Sequence, residues 1–161
     1  MLAISTIIFL SSSAHKENIR FFTFFDDLIL VTKNLANNEV IVEHNNKKIH
    51  YSSSTFMLRN LHSLCQNNWI FLLLENEIVP KDTLAELSFI FTYRLQDKYN
   101  IYNFNIFPAE STRRSIWQKR CTHQSRLYNS NHTIIDISSM QALTKQDSLM
   151  YTLNCPIIQL T

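Results

Sequence analysis

The chain has 161 residues, 45% of them hydrophobic and 17% charged, with a net charge of +2. That length favours one domain spanning 1–161, and the balance excludes a disordered chain and gives no reason to expect nucleic acid or another polyanion as a partner. Glycine is absent, although ordinary usage of about 7% would supply roughly 11; a glycine-rich phosphate loop and a dinucleotide fingerprint are therefore both excluded.

Met1–Leu10 is apolar and precedes Ser11-Ser12-Ser13-Ala14. That is the outline of a signal peptide, but the run is short and lacks a positive leading region. The preferred reading is a strand over Ile4–Leu10, buried on both faces because its apolar residues are nearly continuous. Ser11–Ser13 supplies a turn and helix cap, and Lys16–Phe25 reads as a helix with Ile19, Phe22 and Phe25 inward. Leu28–Val31, after Asp26-Asp27, is a second buried strand. Glu39–Val42 and Lys48–Tyr51 are weaker strands around Asn45-Asn46. Thr55–Cys65 reads as a helix.

Trp69–Leu74 is the strongest strand signal in the chain and is expected to lie centrally, with Ile4–Leu10 and Leu28–Val31 parallel to it on either side. Pro80 opens a helix running to about Leu95, with Leu84, Leu87, Phe91 and Leu95 on one face. Ile101–Phe107 alternates apolar residues with Asn, the period of a half-exposed strand. Arg126–Tyr128 and Thr133–Ile137 read as short strands. The tail from Gln141 reads as helical and then extended near Pro156. Strands alternating with helices predict an α/β fold: a mainly parallel sheet with helices on both faces. Without glycine, the left-handed turn positions fall to asparagine or aspartate, with Asn37-Asn38, Asn45-Asn46 and Asn67-Asn68 as candidates.

Chemistry-bearing motifs are few. Cys65, Cys121 and Cys155 are widely spaced, odd in number and without a C-x-x-C pair, so they read as reduced cytosolic thiols. The six histidines show no metal-ligand spacing, and no serine has a recognisable His/Asp partner motif. Residues 111–126 carry Arg113, Arg114, Lys119, Arg120 and Arg126 with no acid among them. This segment reads as a solvated basic loop or as a patch facing an anionic lipid or saccharide. No stretch approaches the roughly 18 apolar residues of a membrane-spanning helix.

The order of these segments resembles the family 2 glycosyltransferases, especially the short bacterial enzymes of lipopolysaccharide core synthesis. The matching residues are Ile4-Ser5-Thr6-Ile7-Ile8, Glu17-Asn18-Ile19, Phe25–Thr32, Arg59-Asn60, Trp69–Val79 and Gln124-Ser125-Arg126-Leu127-Tyr128. The resemblance implies a truncated nucleotide-sugar-transferase fold of the GT-A type, with a crevice at the carboxyl ends of the strands lined by Thr32, Leu74, Glu75, Asn76 and Glu77. It also implies a cytoplasmic location, peripheral to the inner membrane face, and an acceptor-side role for the basic patch, including Arg126.

The departures from the family pattern bear on activity. Thr32 stands where the family has a base- or ribose-holding aspartate, and Leu74 and Asn76 stand where it has an Asp-x-Asp pair for ribose and a divalent metal. A leucine offers a hard cation no oxygen, and an asparagine offers only a neutral carbonyl. Near Ser138-Ser139, where the family has an acceptor-activating base, there is none. The expectation is a degenerate transferase with no cofactor, serving as a partner-binding domain. The alternative is an active sugar transferase in surface-polysaccharide synthesis, using Mn or Mg with a nucleotide sugar and ligating the metal from a shifted frame through Glu75 and Glu77.

Overall fold

The computed structural model describes residues 2–11, 25–34, 36–56, 58–109, 121–136, 141–144 and 149–160. These residues divide into two compact units, Met1–Glu75 and Asn76–Thr161.

Among its described residues, the first unit is built on β1 (Leu2–Leu10), β2 (Phe25–Asn34), β3 (Glu39–His44), β4 (Lys47–Ser52) and β5 (Trp69–Leu74), with one short helix, α1 (Leu58–His62). Their order in the sheet is β4-β3-β2-β1-β5. The three strongest apolar runs are parallel, as expected: β1 pairs with β2 through Ile7↔Ile29 and with β5 through Ile7↔Leu72. The central member of this trio is β1, not the Trp69 run. Ile4–Ile8 and Trp69–Leu73 are buried without a break, which is why neither shows a period of two. The weaker strand signals, β3 and β4, extend the sheet as an antiparallel hairpin. His44 pairs with Lys47 across a two-residue loop in which Asn45 and Asn46 have φ of 50° and 62°. Two successive positive φ values define the hairpin turn whose twist matches the flanking strands.

The second unit contains β6 (Glu77–Ile78), α2 (Lys81–Thr92), a 3-10 turn at Leu95–Asp97, and β7 (Ile101–Pro108), β8 (Thr122–Asn129), β9 (Thr133–Asp136), β10 (Gln141–Thr144), β11 (Met150–Thr152) and β12 (Ile157–Gln159). Here β7 pairs antiparallel with β8 on one side. On its other side it pairs parallel with β11 near its start and with β12 near its end. Between those two strands the Leu153 N–H still donates to the Asn103 carbonyl of β7 at 2.9 Å, and at Asn154–Pro156 the chain leaves the ladder and bonds to α2 instead. Glu86 accepts the N–H groups of Asn154 and Cys155 at 3.0 and 2.8 Å, and the Thr83 hydroxyl donates to the Pro156 carbonyl at 2.7 Å.

The expectation of an α/β fold with helices on both faces is overturned. Strands dominate the described residues, the pairing is mixed, and only two α-helices are described. Several segments account for the difference. Thr55–Cys65 contracts to the five residues of α1, and Gln141–Thr144, read as helical, is a strand paired antiparallel with β9. Phe25, expected on a helix, opens β2 and is buried; the rest of the Lys16–Phe25 helix lies outside the described residues. Ile101–Phe104 is buried throughout rather than half-exposed, because Asn103 is enclosed and accepts the Ser125 hydroxyl at 2.7 Å. The helix expected from Pro80 is present as α2. It ends with Arg94 at φ 56°, a left-handed position that glycine usually fills.

Candidate functional site

The parallel register brings two of the sequence-predicted positions to one edge. Leu10 of β1 pairs with Thr32, and Phe9 with Leu74, so Thr32 and Leu74 flank the carboxyl end of β1 on opposite sides. Thr32 is buried and Leu74 half-buried. The next residue, Glu75, is held to β1 twice. Its N–H donates to the Phe9 carbonyl at 3.0 Å, and its Oε2 accepts the Ser11 N–H at 2.9 Å. The groups at this edge are therefore a threonine hydroxyl, a leucine and a carboxylate bound to a main-chain donor.

The other predicted positions belong to the second unit. Asn76 donates its side-chain amide to the Leu160 carbonyl at 3.0 Å, and its own carbonyl accepts the Leu160 N–H at 2.7 Å. Glu77 is enclosed and paired with Arg126 at 2.5 Å. Among the described residues, no group of three or more His, Cys, Asp or Glu side chains is placed to hold a metal ion.

Arg126 does not belong to a solvent-facing basic patch. It sits on β8 with its side chain 1% exposed and donates Nη2 to Glu77 and Nε to the Gln124 side chain. Ser125–Tyr128 of β8 is buried without a break, so Arg126 is enclosed with its neighbours, and an ion inside a protein requires a counter-ion. Arg113, Arg114, Lys119 and Arg120 lie outside the described residues. No described helix is long and apolar enough to cross a membrane.

A dense polar cluster in the first unit was not legible in the sequence. At the opposite edge of the parallel strands, Asp27 is buried and accepts the Ser5 hydroxyl, the Gln66 N–H at 2.8 Å and His44 Nε2 at 2.7 Å. Ser5 in turn accepts the Asn67 N–H at 3.0 Å. Cys65 lies beside this cluster. Burial, and then the Asp27 charge, push its thiol up to about 11, and its contact with Ser5 acts in the opposite sense. Such a thiol is a poor nucleophile at neutral pH. The cluster ties three strands and the loop before β5 together. The sequence signal for it was Asp26-Asp27 before a buried strand, but nothing marked Ser5 or His44 as partners.

The sequence was compared with models of known protein families and with curated proteins, and it matches none of them.

Proposed function

We propose that this chain is a catalytically degenerate relative of the family 2 glycosyltransferases that acts by binding a partner rather than by transferring a sugar. The observation that carries this reading is what has become of the oxygens expected to serve the leaving group. Leu74 has none. The Glu75 carboxylate accepts a main-chain N–H, the Asn76 amide is bonded to Leu160, and the Glu77 carboxylate is enclosed against Arg126. A divalent cation draws several oxygens into one shell; here Glu75 and Glu77 each have a carboxylate oxygen committed to a structural bond, and Asn76, tethered through its Nδ2, could offer only a neutral carbonyl. Losing a metal clamp forfeits several kcal/mol of transition-state stabilisation. The parallel register that sets Thr32 and Leu74 on either side of β1 supports the alignment on which the comparison rests. In this reading the protein works at the cytoplasmic side of a membrane, and its partner is a protein or an anionic saccharide or lipid acceptor.

Calorimetric titration with UDP-, GDP- and ADP-sugars, with and without Mn²⁺, tests the proposal. The expected result is no metal-dependent heat with any donor. Metal-dependent binding in the micromolar range would overturn it in favour of an active sugar transferase with a rearranged site.

A further inference from the structure

We infer that the Glu75 carboxylate is an autoinhibitory contact, an internal anion occupying a main-chain donor that an external anion would otherwise use. The inference rests on the reading above only in taking the carboxyl edge of the parallel strands as a ligand site, and topology supports that independently. The chain leaves β1 for β2 on one side, continues outward through β3 and β4, and returns to β5 on the other side of β1. The strand order therefore reverses between β1 and β5. In open α/β sheets, ligands bind outside the carboxyl ends of the strands at such a reversal, and the parallel trio β2-β1-β5 has the same reversal within this mixed sheet.

At this point the Ser11 N–H, one residue beyond β1, is directed at Glu75 Oε2. An ionised carboxylate accepts hydrogen bonds as a phosphate or ligand carboxylate oxygen does. Glu75 has two advantages over a free anion. Its own N–H is anchored on the Phe9 carbonyl, so its side chain competes as a tethered group at high effective concentration. Its negative charge also repels any second anion approaching the same donor. Ser11 is exposed and Glu75 half-buried, so the contact is open to exchange from solvent. Removing the carboxylate frees the donor and lifts the repulsion together.

The test follows the Ser11 amide resonance in isotope-labelled full-length chain titrated with inorganic phosphate and, separately, with UDP. Wild type, Glu75→Gln and Glu75→Ala are compared. Glu75→Ala is expected to move the Ser11 resonance at about tenfold lower ligand concentration than wild type, with Glu75→Gln between them, since charge-assisted bonds are the stronger kind. Overlay of the remaining resonances shows that the variants keep the fold. Equal midpoints in all three proteins, or a Ser11 resonance that stays still in every titration, would overturn the contact as an inhibitor. Metal-dependent binding of a nucleotide sugar by the wild type would instead overturn the degenerate-transferase reading and leave this comparison standing.

Discussion

Arg126 and Glu77 meet at 2.5 Å with side chains 1% and 0% exposed. Burial draws the guanidinium below its usual range, and the Glu77 charge and hydrogen bond oppose that shift. The pair connects β8 to the two-residue strand β6, which also pairs with β12.

Breaking this pair from one side is expected to be costly. Arg126→Met leaves a carboxylate enclosed without its counter-ion, and a loss of about 3–5 kcal/mol is expected. Glu77→Leu strands the guanidinium to a similar degree. The double variant Arg126→Met/Glu77→Leu should recover most of the loss, because an apolar pair of similar volume carries no desolvation penalty. Urea denaturation of the four proteins reads the coupling directly. Additive losses in the double variant would mean that the two charges do not depend on each other.

The absence of glycine yields a second prediction. Asn38, Asn45, Asn46 and Arg94 hold positive φ in its place. Asparagine tolerates this conformation, whereas a long side chain such as that of Arg94 gains nothing from it. Asn46→Gly and Arg94→Gly should therefore each stabilise the chain by up to about 1 kcal/mol, and Asn46→Val should destabilise it by about 1–2 kcal/mol. Thermal and chemical melts of the three variants check this. An unchanged or lower midpoint in both glycine variants would count against strain at those positions.

The sequence conveyed local chemistry better than layering. The runs Ile4–Leu10 and Trp69–Leu74 announce parallel strands because burial on both faces removes polar alternation, whereas Leu28–Val31, also parallel, alternates half-buried and buried residues. Asn45-Asn46 announces a turn because few other residues accept two positive φ values. Thr55–Cys65 and the tail from Gln141 misled because apolar spacing in a short segment fits a helix turn and a strand alike, and tertiary pairing decides between them. The site was legible only as far as the register. Sequence order aligned Thr32 with Leu74, but nothing in it marked Arg126 as turned inward to Glu77. Likewise, nothing linked Ser5, Asp27, His44 and Gln66, which lie far apart in the chain and meet only through strand pairing.

The cluster around Asp27 makes the last prediction, through Cys65. Its thiol donates to the Leu61 carbonyl at 3.3 Å and is held up to about 11 by burial first and by the Asp27 charge second. In the unfolded chain the same thiol gives up its proton near its ordinary value of 9.0. Between those two values the unfolded chain binds fewer protons than the folded one, so this group makes stability fall as pH rises through that window. Below it, both states keep the proton and the contribution is level. In a Cys121→Ser/Cys155→Ser background, Cys65 should react with a disulfide reagent at about pH 8 much more slowly than an unfolded control, because the thiolate is the reacting form. Asp27→Asn removes the second cause of the shift but leaves burial, the first, so labelling should quicken without reaching the control rate. A wild-type rate equal to the control would sink the account of an enclosed thiol. A rate in Asp27→Asn identical to wild type would show that the Asp27 charge does not reach the sulfur, leaving burial alone to hold the proton.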